Sequence, residues 1–262
     1  MSAELRSSRP QGHESSLVLT LSNPGARNAL HPDMYAAAIE ALDAAERDAS
    51  LRAIVLTGAD NFFCAGGNLN RLLENRAKDP SVQAASIDML AEWVNAMRQS
   101  SKPVIAAVEG AAAGAGFSLA LAADLLVAAE DAKFVMSYSR VGLTPDGGGS
   151  WFLSRALPRA LATELMLEGK PVGAARLAEL GVVNRLVKPH TALDAALAWA
   201  DDLAAVSPNS AARIKGLVNV ADTQPLADHL IAERENFVAS LHHRDALEGI
   251  TAFLEKRPPV YK

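Results

Sequence analysis

The sequence lacks most of the features that mark a secreted or nucleic-acid-binding protein. Among its 262 residues there is one cysteine, Cys64, so no internal disulfide is available and a reducing compartment is expected. The net charge is −5 and the basic residues are scattered, which excludes an extended nucleic-acid surface. The first ten residues contain no apolar export signal. We therefore predict a cytoplasmic protein with no nucleic-acid partner.

Long apolar runs and metal-ligand clusters are also missing. The most apolar stretch is bracketed by Glu109 and Asp124, which leave 14 uncharged residues between them. A membrane span needs about 20 such residues. His242 and His243 are adjacent, so on a helix they would point about 100° apart, and no further ligands accompany them. We predict neither a membrane partner nor a metal site.

What is present is a globular composition with alternating strand and helix patterns. The chain is 50% hydrophobic and 21% charged, which is enough to bury a large core. Residues 17–21 and 53–57 read as buried strands, and residues 33–48 between them read as an amphipathic helix. This alternation predicts an α/β fold. From residue 191 onward the pattern is entirely helical.

The stretch from residue 104 to residue 124 organises the chain. It begins as a strand, becomes almost pure Ala and Gly, and ends as an apolar helix. Small residues before a helix leave backbone N–H groups accessible, which suits a ligand that develops negative charge. Three other interpretations stay open. They are a dinucleotide fingerprint that has Leu119 in place of its third Gly, a nucleophile elbow around Ser118, and simple close packing.

A second loop of small residues lies at residues 61–69, NFFCAGGNL. It too follows an apolar run and precedes helical sequence. Two such loops are what an oxyanion hole requires, because one carbonyl oxygen can accept from two converging N–H groups. An ordinary turn built on Gly66 and Gly67 is the alternative.

Both loops resemble those of the crotonase, or enoyl-CoA hydratase/isomerase, superfamily. The similar segments are residues 63–69 and 103–116, together with NPGARNAL at 23–30 and ALEGITAFLEKR at 246–257. The resemblance implies a spiral of ββα units with a helical C-terminal trimerisation region. We accordingly predict an N-terminal extension at 1–14, a crotonase core at 15–200 and a helical C-terminal region at 201–262.

The resemblance also implies a ligand and an assembly. The substrate would be an acyl-CoA thioester, with coenzyme A as part of the substrate and no separate cofactor. Its carbonyl oxygen would lie between the amides of Gly67 and Ala115. The chain would form a homotrimer or a dimer of trimers. The positions matched to substrate binding are Ala26, Ala65, Asn68, Leu69, Ser118, Tyr138, Leu143, Phe253 and Lys256.

Three of those positions carry further expectations. At Ala26 many relatives have Lys, so one phosphate contact is expected to be weaker here. Phe253 and Lys256 match residues that contact the adenine end of coenzyme A, often from a neighbouring subunit. On the residues alone, the pair is equally consistent with one core aromatic and one solvated lysine.

The departures from the superfamily pattern decide the expected chemistry. Its hydratases use two glutamates to activate water, and here those positions are Ser118 and Tyr138. Neither can serve as a carboxylate base. Asp146, within GLTPDGGGSW at 142–151, instead matches a carboxylate of the superfamily's isomerases, most closely those of the 1,2-epoxyphenylacetyl-CoA type. Asp146 is also a candidate N-cap for a helix predicted to begin near residue 150.

We therefore expect isomerisation of a double bond or ring in an unsaturated acyl-CoA, with Asp146 as a proton shuttle, in fatty-acid or aromatic-acid breakdown. Hydration by other water-positioning residues stays an alternative. So do thioester hydrolysis through Ser118 and a catalytically idle acyl-CoA-binding homologue.

Overall fold

The computed structural model describes residues 3–261, whose strands form two sheets. The strands are β1 (Glu4–Ser8), β2 (Ser16–Ser22), β3 (Ala53–Gly58), β4 (Val104–Val108), β5 (Ala111–Ala113), β6 (Leu125–Ala129), β7 (Lys133–Val135), β8 (Val172–Gly173) and β9 (Arg185–Val187). The larger sheet has the order β1-β2-β3-β4-β6-β9, and the smaller has the order β5-β7-β8. In the larger sheet all neighbours are parallel except β1 and β2.

Helices connect these strands and then continue alone to the C-terminus. They are α1 (Pro32–Arg47), α2 (Leu69–Arg76), α3 (Pro80–Gln99), α4 (Ala115–Ala122), α5 (Gly149–Ala156), α6 (Arg159–Glu168), α7 (Ala174–Glu179), α8 (Ala192–Ala204), α9 (Pro208–Ala221), α10 (Leu226–Leu241) and α11 (Arg244–Glu255). A 3₁₀ helix spans Ser137–Val141. The α/β prediction is thus confirmed, and helices of ordinary length fill the predicted C-terminal region.

The larger sheet is covered on both faces. Because successive strand residues point to opposite faces, Ile105 and Ala107 of β4 pack against α8, while Val104, Ala106 and Val108 pack into the main core. The face of α8 that meets the sheet is made largely of alanine. A parallel sheet buried on both faces explains why these strands read as continuous apolar runs.

Glu109 ties this sheet to the start of α8. It follows β4 and is buried, and its two carboxylate oxygens accept hydrogen bonds from the amides of His190 (3.0 Å) and Ala192 (2.8 Å). Ala192 is the first residue of α8, so the carboxylate satisfies amides that the helix itself leaves unpaired.

Two elements of the main sheet and its cover lie at the predicted domain boundaries. The N-terminal extension at 1–14 contributes β1, which pairs along its whole length with β2. With Leu5 as its only large apolar residue, this edge strand gives little periodic signal. The boundary at residue 200 falls inside α8, which packs on the sheet and so belongs to the core. Within residues 3–261, no helix is both long enough and apolar enough to cross a membrane.

Candidate active site

A short parallel pairing brings the two small-residue loops together. The amide of Cys64 donates to the carbonyl of Ala111 (3.0 Å), and the amide of Ala113 donates to the carbonyl of Cys64 (2.9 Å). The next residue but one, Gly66, then lies so close to β5 that an added Cβ would be 2.5 Å from the carbonyl oxygen of Ala113. A glycine is therefore required there, and the loops lie side by side.

Each loop contributes to the same cavity a residue whose amide has no backbone acceptor among the described residues. Ala115 is the first residue of α4, and its N-cap is Gly114, whose φ of 50° and ψ of −124° suit only glycine. Gly67 lies in the neighbouring loop. Among residues 3–261, neither amide donates to another backbone carbonyl, and both residues line the cavity. This arrangement can stabilise negative charge on an oxygen placed between the two amides.

The cavity has a volume of about 540 Å³ and mostly apolar walls. Five further residues predicted to face the site line it as well: Ala65, Asn68, Leu69, Tyr138 and Leu143. Asn68 also has a structural task, because its side chain caps α2 by accepting from the amides of Asn70 and Arg71. Within the part of the chain that is described, no group of three or more His, Cys, Asp or Glu side chains is placed to hold a metal ion.

Asp146 places a carboxylate in the cavity wall. It is the one carboxylate among the described residues that line the cavity. Burial raises the pKa of this carboxyl, and the Tyr138 hydroxyl, which donates to its Oδ1 at 2.6 Å, partly offsets that rise. Burial and the nearby charge of Asp146 in turn raise the pKa of Tyr138, so Tyr138 remains a neutral donor. Tyr138 and Asp146 together form a polar pair in an apolar pocket.

The helix-cap interpretation of Asp146 is wrong. Helix α5 begins at Gly149, and its N-cap is Gly148, which has a left-handed conformation and makes no side-chain cap. The Asp146 carboxylate faces Tyr138 instead, and only its backbone carbonyl meets the helix, at the amide of Gly149 (3.1 Å). The sequence made Asp146 a candidate N-cap, two residues before the observed N-cap, Gly148. Two consecutive glycines with positive φ, Gly147 and Gly148, separate Asp146 from the helix.

The Ser118 side chain is held by hydrogen bonds to backbone carbonyls. Its side chain is fully buried, and its hydroxyl donates to the backbone carbonyl of Asp146 at 2.8 Å. It is not among the residues that line the cavity. No histidine bonds to it within residues 3–261, so it has no base. Ser118 lies one turn into α4 and faces α5, so its role is to hold the loop that carries Asp146.

The remaining predicted positions lie outside the cavity. Ala26 is half-buried in the turn after β2, and it contributes nothing to the cavity wall. Phe253 is 83% exposed on α11, and Lys256 ends that helix in a left-handed conformation. A single chain therefore does not bring these three residues to the acyl site.

Three of the polar residues that line the cavity were not predicted from the sequence. Tyr35 of α1, Arg71 of α2 and Ser86 of α3 all line it, although they come from separate parts of the chain. Tyr35 looks like an ordinary buried aromatic of an amphipathic helix, and Arg71 and Ser86 look like surface polar residues. Only the packing of the three helices brings them together.

Known proteins are similar to this chain in both sequence and fold. A family model described as enoyl-CoA hydratase/isomerase matches residues 11–262. The 1,2-epoxyphenylacetyl-CoA isomerase of Escherichia coli (strain K12) is 39% identical over 250 residues, which cover 94% of each chain. Carnitinyl-CoA dehydratase of Escherichia coli (strain SMS-3-5 / SECEC) is 37% identical over 82% of this chain and 83% of its own.

A solved structure has the same fold as this chain. The crystal structure of an enoyl-CoA hydratase from Polaromonas sp. JS666 matches with a TM-score of 0.96 at 54% identity, covering 99% of this chain and 100% of the other. The relatives thus include proteins named isomerase, dehydratase and hydratase, all built on the crotonase fold. Because the family model spans residues 11–262 and a curated relative is 39% identical over 94% of the chain, this chain belongs to the enoyl-CoA hydratase/isomerase family.

Proposed function

We propose that this protein isomerises a double bond or ring of an unsaturated acyl-CoA, with Asp146 as the proton shuttle. The observation that carries the proposal is the single cavity carboxylate, held by Tyr138 in the same space as the amides of Gly67 and Ala115. One carboxylate suffices to move a proton, whereas the two-glutamate activation of water lacks both of its groups at positions 118 and 138.

The proposed double-bond shift moves one proton from C2 to C4 of the acyl chain. Ionised Asp146 removes a proton from C2 of the acyl chain, and that electron pair forms an enolate whose oxygen is held by the two amides. When the carbonyl re-forms, a double bond forms between C2 and C3. The electron pair of the former C3–C4 double bond then takes the proton from Asp146 at C4. The carboxylate is regenerated, and no redox partner is consumed.

The environment of Asp146 suits both halves of this cycle. Burial raises the pKa of the carboxyl, which makes the carboxylate a stronger base than a solvated one. The Tyr138 hydroxyl stabilises the ionised form, so the group remains ionised often enough to begin the cycle. These opposing influences favour a group that both takes and returns a proton.

Hydration is the second candidate, and the names of the relatives favour it, since they include a dehydratase and a hydratase. In that case Asp146 would be the one carboxylate among the described wall residues that could activate water. The absence of carboxylates at Ser118 and Tyr138 argues for isomerisation as the main reaction.

The deciding experiment is solvent deuterium exchange on a panel of unsaturated acyl-CoAs. Isomerisation predicts deuterium at C2 and C4 without loss of the alkene, whereas hydration removes the alkene and adds a hydroxyl group. Both products are distinguished by NMR of the acyl chain. Asp146→Asn should abolish exchange while coenzyme A thioesters still bind, because Asn keeps the acceptor for Tyr138. Binding without exchange on any substrate in the unaltered protein would refute the proposal and indicate a binding-only homologue.

We also propose that the chain assembles as a homotrimer or a dimer of trimers through its C-terminal helices. No residue of α10 is buried, and Phe237 on it is 70% exposed. The other apolar side chains of α10 and α11 that are more than half exposed are Leu226, Leu230, Leu247, Ile250, Phe253 and Leu254. An exposed apolar surface of this extent marks a protein interface.

In such an assembly Phe253 and Lys256 would meet the coenzyme A of a neighbouring subunit, near the Ala26 loop. Sedimentation equilibrium measures the assembly directly. Phe237→Glu should shift the protein toward monomers, whereas a monomeric unaltered protein would contradict the assembly proposal.

A further inference from the structure

The cavity wall contains a cation that forms no ion pair with a carboxylate among the described residues. Arg71, in the first turn of α2, lines the cavity and is half-buried. Among residues 3–261 it makes no ion pair. Arg76 lies five residues further along the same helix, is exposed, and does not line this cavity. The position of Arg71 on the inner face of α2 therefore needs an explanation of its own.

Two hydroxyl groups accompany the Arg71 guanidinium. Its Nη2 donates a long hydrogen bond, 3.5 Å, to Oγ of Ser86, which is only 7% exposed on α3. The Tyr35 hydroxyl lies near that of Ser86, and burial is the main cause that raises the pKa of Tyr35 to about 12. Tyr35 is thus a neutral hydrogen-bond donor, and it lies within electrostatic reach of both Asp146 and Arg71. A cation and two hydroxyls converge on the wall formed by α1, α2 and α3.

This group is chemically suited to a carboxylate. A guanidinium presents a planar fork of N–H donors that matches the two oxygens of a carboxylate. The surrounding wall is apolar, with Leu72, Ile87 and Leu90 among its residues, so a purely hydrocarbon ligand would leave the guanidinium less hydrated without a partner. A carboxylate on the ligand would remove that penalty.

We propose that the cavity accepts acyl-CoA thioesters whose acyl group carries a carboxylate remote from the thioester, and that Arg71 binds that carboxylate with help from Ser86 and Tyr35. The inference deepens the proposed function, because it rests on the acyl-CoA site between Gly67 and Ala115. It makes Arg71 a specificity-determining residue that takes no part in proton transfer.

A second guanidinium in the cavity wall makes the assignment testable. Arg140 of the 3₁₀ helix also lines the cavity, but it is exposed and therefore remains hydrated when no ligand is bound. Exposed ion pairs contribute little. The preference for a carboxylate should accordingly depend on Arg71 and not on Arg140.

The experiment compares binding of saturated thioesters, which have no double bond to move. Isothermal titration calorimetry would use succinyl-, glutaryl- and adipyl-CoA against the uncharged butyryl-, pentanoyl- and hexanoyl-CoA of equal length, with free coenzyme A as reference. At least one carboxylate thioester should bind on the order of 10-fold or more tightly than its uncharged partner. Arg71→Met should lower its affinity by about 10- to 100-fold and leave the uncharged series unchanged. Arg71→Lys should restore part of the loss, and Arg76→Met is the matched control.

Three results would overturn the proposal. The first is equal affinity for the charged and uncharged series in the unaltered protein. The second is an equal loss for all ligands, including free coenzyme A, in Arg71→Met, which would assign Arg71 to a phosphate of coenzyme A. The third is loss of the preference in Arg140→Met but not in Arg71→Met. Because only binding is measured, absence of deuterium exchange would refute the isomerase proposal while leaving this test informative.

Discussion

Replacing Tyr138 by Phe tests the proposed proton shuttle through its hydrogen bond alone. The ring is buried, and Phe preserves its shape while removing the hydroxyl that donates to Asp146 at 2.6 Å. That bond stabilises the ionised carboxylate and lowers the pKa of Asp146, against the larger opposing effect of burial. Its loss must therefore raise the pKa of Asp146 further and leave less of the reactive, ionised form at a given pH.

The size of the effect follows from the charge on the acceptor. A hydrogen bond to a charged group contributes about 1.5–3 kcal/mol. On the acid side of the pH profile, where the carboxyl must first ionise, kcat/KM for isomerisation should fall by about 10- to 100-fold. The acid limb should move to higher pH. Above the new pKa the rate should recover, because the carboxylate is then ionised and is intrinsically the stronger base.

The assay is the pH dependence of kcat/KM for isomerisation, followed by NMR of the acyl chain. Tyr261→Phe removes a phenol near the C-terminus, next to Gly249, and serves as the matched control. An acid limb that stays in place, or that moves to lower pH, would refute the idea that Tyr138 supports the ionised form of Asp146. A uniform loss of rate at every pH would instead show that Tyr138 itself transfers a proton or contacts the substrate.

Three further changes probe neighbouring groups. Ser118→Ala removes the buried donor to the Asp146 carbonyl, so the free energy of unfolding, measured by heat or urea, should fall by about 1 kcal/mol. Activity should fall less than about 10-fold. Abolished turnover would instead support Ser118 as a nucleophile. Asp146→Asn should raise the thermal stability. Because the pKa of Asp146 is raised in the folded state, its ionisation destabilises the fold as pH rises through that pKa, and Asn cannot ionise. An unchanged melting temperature in mildly alkaline buffer would show that the Asp146 charge is well compensated. Glu109→Gln leaves one of the amides of His190 and Ala192 without an acceptor and should destabilise the fold by about 2 kcal/mol in denaturant unfolding, and no loss would mean that water replaces the carboxylate.

The two small-residue loops were predictable because their chemistry is local, whereas the particular amides of Gly67 and Ala115 were assigned through the family resemblance. Gly114 and Ala115 form a strand-to-helix junction, and the conformation of Gly114 is one that only glycine adopts readily, so the residue type itself marks the site. Asp146 was found through the resemblance, yet its two possible roles could not be separated. The separation depended on which way its carboxylate points, and that is fixed by contact with Tyr138 across the loop.

Ser118 was a candidate site residue from sequence, but it does not line the cavity. In sequence it stands beside the Gly-rich loop, which suggests a catalytic role, but its buried hydroxyl donates to the backbone carbonyl of Asp146. Which partner a buried hydroxyl finds depends on contacts between distant parts of the chain, so the sequence alone does not predict it.

By comparison with the superfamily pattern, the sequence showed that the pair of glutamates is missing; by itself, it determined the α/β class, the helical C-terminus and the two small-residue loops. Each of these depends on local periodicity or on residue type at one position. Only the tertiary structure decided that β1 joins the main sheet, that Asp146 faces Tyr138, and that Arg71, Ser86 and Tyr35 meet in one wall. Those facts depend on contacts between residues distant in the chain, which packing of the helices on the sheet creates and local sequence patterns do not record.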